Sequence, residues 1–362
     1  MSPSSPSSPS SPTSPSRRLI DVEDDLEAIN THYQAEHWSD GLPMVPPTLE
    51  RVNRMLKQCP GHAQDIVAHL APAFGPATLE LIAVNAVMAG CPPELMPVLV
   101  AAVKALAQPA FNLQAVQATT NPVAVWVLVN GPLAQNLGFN AGVNCLGEGT
   151  VANATLGRAV RLLMRNVGGA LPGEMDRATH GQPGRMSFCC AENVTHSPWE
   201  SFHQERGFDK DESVVSVVAV EGTMNMNSHS KDALELLRIF ALTMIHPPSN
   251  EYTHGGEPFL MLSPEHAHIL ASAGLSKSDV KAHLWQMSKM PAHYMGRRDF
   301  ERLQVSRQAE LGELGPDDLL PITVSPKEIQ LVVAGGAGTH TVYLPCFGNS
   351  RAVSVRFKAG SS

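Results

Sequence analysis

From Ala105 to Gly147 the chain carries no Asp, Glu, Lys or Arg, and from Leu81 to Gly147 only Glu94 and Lys104 are charged. Such a stretch has to be covered by protein or by lipid. Pro92, Pro93, Pro97, Pro109, Pro122 and Pro132, with the Asn and Gln residues among them, leave no run of about 18 apolar residues, so no membrane span is expected. The stretch is expected to be core, with part of it covered by a second copy of the chain in a homo-oligomer, because apolar patches left exposed usually mark interfaces. The composition agrees: AVILMFWYC make up 43% of the 362 residues and charged residues only 17%, against roughly 25% in ordinary soluble domains.

The 26 basic and 34 acidic residues give a net charge of −8, and no basic run exceeds a pair, so nucleic acid is not an expected partner. Six scattered cysteines do not make a disulfide framework and suit reduced thiols, which points to the cytoplasm. Residues 1–17 open with a Ser/Pro tract that has nothing to bury and reads as a disordered tail, not as a secretory signal.

Beyond the tail, residues 18–60 read as an N-terminal helical segment, with helices over about 19–37 and 48–57 and Thr48 as N-cap. Residues 61–208 and 209–362 read as two α/β halves. Strands are expected near 66–70, 113–119, 123–129, 185–191, 214–220, 259–262, 329–334, 341–344 and 352–357, with helices between them. The halves echo each other. Leu79-Glu80-Leu81 before Cys91-Pro92-Pro93 matches Leu234-Glu235-Leu236 before His246-Pro247-Pro248, and 127–132 resembles 259–264, each a strand leading into a proline-started helix. The fold class expected is α/β, two pseudo-symmetric halves with buried strands and an internal duplication, and a ligand site between them.

Three segments carry candidate chemistry. Gly142 to Thr150 runs into a helix whose N-terminus, with the backbone N–H groups of Gly147, Gly149 and Thr150 and the side chain of Asn153, suits a carboxylate or phosphate. Arg158, Arg161 and Arg165 share a face of that helix. Residues 172–208 concentrate Glu174, Asp176, His180, Arg185, Cys189, Cys190, Glu192, Asn193, His196 and His203. Cys189 and Cys190 on a strand face opposite sides, so only one can enter a pocket. Cys189 is favoured as nucleophile or redox thiol, His180 as its base, and Arg185 or Arg158 as anion anchor, with Asn193 nearby. Ser197-Pro198-Trp199-Glu200 reads as a helix start. His180, a cysteine and His196 match no standard zinc spacing. Residues 335–338 precede a strand, which disfavours a dinucleotide loop and suggests a glycine hairpin presenting His340 as a second acid–base group. No cofactor is assigned.

The segments DGLPMVPPTLERV (40–52), AVNAVMAGCPPE (83–94), NLQAVQATTNPVAVWVLVNGP (112–132), ANATLGRAVRLLMRNVGG (152–169), THGQPGRMSFCCAEN (179–193), SPWESFHQERGF (197–208) and VVAGGAGTH (332–340) resemble a bacterial protein family associated with small proteins or domains bearing a UGSC selenocysteine or cysteine motif. The resemblance implies a bacterial cytosolic protein and a thiol-linked reaction. This chain has no UGSC or CGSC segment, so such chemistry would come from a partner chain. The expected function is an enzyme acting on a small anionic metabolite through a thiol/histidine site. The alternatives are a non-catalytic subunit that presents a substrate or redox partner to a UGSC-type protein, and a metal-dependent enzyme.

Overall fold

A computed structural model describes residues 19–247 and 249–360. The expected Ser/Pro tail lies outside the described residues. Contacts divide the described residues into two compact units, one up to residue 43 and one from residue 44 on. In the first, the helix Leu26–Ala35 is capped by Asp25, whose side chain accepts from Ala28 N at 3.0 Å. It starts seven residues later than expected, at the first turn that has a cap.

The second unit is α/β. Eight of its strands make two four-stranded mixed sheets: β1 (Ala124–Asn130), β2 (Cys189–Ala191), β3 (Ser213–Val220), β4 (Met224–Asn227), β5 (Phe259–Leu262), β6 (Gln330–Val333), β7 (His340–Leu344) and β8 (Val353–Phe357). The first sheet has the order β2-β1-β3-β8 and the second β6-β5-β7-β4. In each, the first pair is parallel and the next two are antiparallel. The fourth strands are exchanged: β4 follows β3 in sequence but completes the second sheet, and β8 follows β7 but completes the first. The two sheets are therefore not two consecutive halves of the chain.

The sheets pack face to face. Alternation along β1 sends Ala124, Trp126 and Leu128 inward, where they meet Phe259 and Met261 of β5, Val332 of β6 and Leu344 of β7. Trp126 and Phe259 touch edge to face with ring centroids 5.5 Å apart, and burying each such ring stabilises the fold by roughly 2–3 kcal/mol. Helices cover the outer faces. Of α1 (Leu79–Ala89), α2 (Met96–Leu106) and α3 (Val151–Asn166), the last two lie on the first sheet and α1 packs against both; α4 (Ala233–Met244), α5 (Pro264–Ser272) and α6 (Lys277–Met287) cover the second. All seven residues of β1 are buried, so helices on one side and a second sheet on the other cover the heart of the uncharged stretch within one chain. Among the described residues no single helix is long and apolar enough to cross a membrane.

Three local expectations are corrected. Residues 113–119 are not a strand but a helix, Leu113–Ala118, because Asn112 adopts a left-handed conformation (φ 53°) and its side chain caps Ala115 N. Over six residues both periods fit, and the cap decides. Ser197 does not start a helix. Its hydroxyl accepts from Trp199 N within a turn, and the helix starts at Phe202, where Ser201 N donates to Gln204 Oε1 at 3.2 Å. The 335–338 glycines do not form a hairpin, since β5 lies between β6 and β7 and the connection has to cross its end.

Candidate thiol site at the carboxyl end of the parallel strands

The parallel pairs β1/β2 and β5/β6 end on the same side of the sandwich, where Asn193 N donates to Val333 O at 2.7 Å. In α/β sheets, loops beyond the carboxyl ends of strands are where ligand-binding groups are displayed. Three segments converge here. Ala191 N donates to Asn140 O (3.0 Å) and Gly335 N to Ala141 O (2.9 Å), while Asn193 Nδ2 donates to Gly335 O at 3.2 Å. Gly336 lets the loops approach, because a Cβ there would lie 2.4 Å from Val143 Cγ2.

Asn153, in the first turn of α3, holds the 140–147 loop. Its Oδ1 accepts from Asn140 N at 2.9 Å, and its Nδ2 donates to Asn140 O (3.1 Å) and Cys145 O (2.9 Å). Both ends of this amide are thus engaged, so Asn153 positions the loop and does not itself face a ligand. Gly147 N donates to Asn144 O at 2.9 Å. Gly149 adopts φ +104° with open space around it. Thr150 stands at the N-cap of α3, but its side chain caps nothing.

The loop so held carries Cys145, buried against Cys190 and Phe188 between the sheets. A hydrogen bond from the Cys190 thiol, helped by the backbone N–H groups of Cys145, Gly335 and Leu146, lowers the Cys145 thiol from its ordinary 9.0 despite burial. As the donor, Cys190 is pushed well above that value, with burial adding to the effect. Every other cysteine moves upward through burial: Cys59 to about 11, Cys91 to about 12, and Cys189 and Cys346 further still. The low thiol is Cys145.

The structure does not assemble the expected Cys189–His180–His340 constellation. Cys189 does face the opposite side from Cys190, but that is the helix side, where it is 3% exposed and close to Cys91. His180 is exposed in the segment that Thr179 N ties to Thr120 O, before β1. His340 is exposed at the start of β7 with its Nδ1 3.1 Å from Asn225 Oδ1. Neither cationic anchor stands at the loop. Arg185 donates to Asp176 Oδ2 at 2.6 Å and to Val123 O at 2.8 Å, and Arg161 shares the same carboxylate at 2.8 Å. Burial would raise the Asp176 carboxyl, but Arg185 and Arg161 hold it below its ordinary value. Arg158 lies beside Met44 Sδ and Cys91.

Asn193 does belong to the site, and its Oδ1 lies 3.0 Å from His196 Nδ1, so His196 is the imidazole that rims it. Beneath lies Glu192, buried and shifted upward by that burial, with Oε2 accepting from Asn130 Nδ2 (2.5 Å) and Phe202 N (2.8 Å). Among the described residues no group of three or more His, Cys, Asp or Glu stands in a metal-binding arrangement. No family model, curated protein or solved structure matches the chain.

Proposed function

We propose that the chain is an enzyme that acts on a small anionic metabolite with Cys145 as its reactive thiol. The carrying observation is that Cys145 alone among the six cysteines is lowered, by a neighbouring thiol and a set of backbone amides. Thiolate, not thiol, is the nucleophile, and a lowered thiol is where thiol chemistry concentrates. The positive end of the 16-residue helix α3 favours a carboxylate beside it. His196, held by Asn193, is the proton-exchanging group at the rim, and Cys190 is a positioning residue whose thiol favours the ionised form of Cys145.

Alkylation followed by peptide mapping tests this. Cys145 is expected to react ahead of the more exposed Cys59, and iodoacetate is expected to prefer Cys145 over Cys59 more strongly than neutral iodoacetamide does. Faster labelling of Cys59 at every pH would remove the thiol reading, and equal preference for the two reagents would remove the anion.

A second reading is thiol exchange with a partner chain of the UGSC type. Val143 and Val151 favour it, since these apolar side chains, in the loop that carries Cys145 and at the start of α3, are 76% and 60% exposed. Turnover of a small substrate by the chain alone separates the two.

A further inference from the structure

At the other end of the sandwich, where β1 begins and β3 and β7 finish, the chemistry is reversed. Cys346 pairs with Val220 through an isolated bridge, which brings Glu221 next to the short helix Asn250–His254. Glu251 in that helix is fully buried. Its Oε1 accepts from Tyr343 Oη at 3.0 Å and from Cys346 N at 2.6 Å. Its Oε2 has no partner. Asn250 Nδ2 donates to Glu221 Oε1 at 2.7 Å, which leaves Asn250 Oδ1 buried and without a donor, and Ser249 Oγ is likewise unpartnered. A buried acceptor without a donor costs free energy, and a cluster of them calls for a ligand that supplies donors.

The neighbouring groups do not supply them. Arg307 turns its Nη1 to the carbonyls of Glu251 (3.1 Å) and Tyr252 (2.9 Å), and its Nε to Glu310. His246 places Nδ1 3.1 Å from Met244 O, and a carbonyl only accepts, so that nitrogen donates there and not to the carboxyls. Burial first, and then the charge of Glu251, raises the Glu221 carboxyl to about 8. Burial raises Glu251 as well, opposed by His246. Two carboxyls this close are relieved by a cation between them.

We propose that Glu221, Asn250 and Glu251 form a binding site for a primary ammonium group. An ammonium brings N–H donors and one positive charge, which suits the buried unpartnered oxygens of Glu251 and Asn250. Glu251 is fully buried, and Glu221, Asn250 and His246 are half-buried. The site is independent of the thiol reading.

The test is a thermal-shift and calorimetric titration of the full chain with methylammonium chloride, against tetramethylammonium chloride at equal ionic strength. Working at about pH 8.5 keeps Glu221 ionised. Methylammonium is expected to raise the melting temperature saturably and tetramethylammonium, which has no N–H, is expected not to. Glu221→Gln, at a half-buried position, should weaken binding about tenfold or more. Glu251→Gln, which keeps an acceptor for Tyr343 and Cys346, should do the same. An equal response to both salts, no response, or unchanged binding in both variants would overturn the site. Nα-acetyl-lysine methylamide distinguishes the sources: tighter binding than methylammonium indicates a lysine side chain, weaker binding a small free amine, and either supports the site.

Discussion

The two ends of the sandwich are built from the same strands and offer opposite chemistry. At the carboxyl end of the parallel strands, a thiol and backbone N–H groups point at one sulfur, so the end supplies donors and stabilises negative charge. At the other end, Glu221, Asn250, Glu251 and Ser249 crowd acceptors together, so that end stabilises positive charge or a proton. One core can carry both because the buried strands between the ends are apolar and keep the two polar clusters apart.

The largest effect should come from removing a support of the acceptor end. Arg307 is 1% exposed, and Arg307→Ala would take the side-chain donor from the Tyr252 carbonyl and one of two donors from the Glu251 carbonyl, which keeps Gly255 N, at a cost of about 3 kcal/mol. Urea unfolding would measure it, and Cys145 labelling in the folded fraction should not change. At the donor end, Cys190→Ala removes the S–H that holds the Cys145 thiolate. Cys145 alkylation near neutral pH should then slow several-fold. An unchanged rate would mean that the backbone amides alone set the reactivity.

The ends should also differ in the sign of their pH dependence. The folded protein keeps a proton on Glu221 between the ordinary value of 4.5 and about 8 while the unfolded chain releases it. Stability from this group is therefore full below 4.5 and is lost as pH rises through about 8. For Cys145 the folded form loses its proton first, so stability from this group is present above 9.0 and lost as pH falls through the lowered value. Melting curves of Glu221→Gln and Cys145→Ser against pH should each flatten their own window and leave the other intact. The smallest effect should follow His180→Ala, since His180 lies exposed in the segment before β2. A change in Cys145 labelling there would reinstate the histidine as a partner of the thiol.

The α/β class was legible because strands such as 214–220 and 259–262 are short apolar runs bounded by turns, and the Thr48 cap could be read residue by residue. The meeting of 142–150, 190–196 and 335–336 was legible in part, since polar and glycine-rich loops beyond buried strands are where sites gather. Which cysteine carries the lowered thiol was not. Cys189 was favoured through its neighbours in sequence, but the phase of β2 turns it toward the helices, and Arg185 is engaged by Asp176. Cys145 had a readable signal, a thiol in a glycine-rich loop ahead of a helix. Glu251 had almost none. Its partners Tyr343 and Cys346 lie 92 and 95 residues away, and only the pairing of β7 with β5 brings them to it.

The exchange of β4 and β8 has a consequence for how the protein is made. As the chain emerges from the ribosome, β1, β2 and β3 can pair early, but the edge of β3 stays open until Val353–Phe357 arrives, more than 130 residues later. Until then the row of unpaired backbone groups along the valine-rich Ser213–Val220 is a template for pairing with another chain. Val353–Phe357 therefore acts as a built-in edge guard, and chains terminated before it should appear in the cell mainly as aggregates.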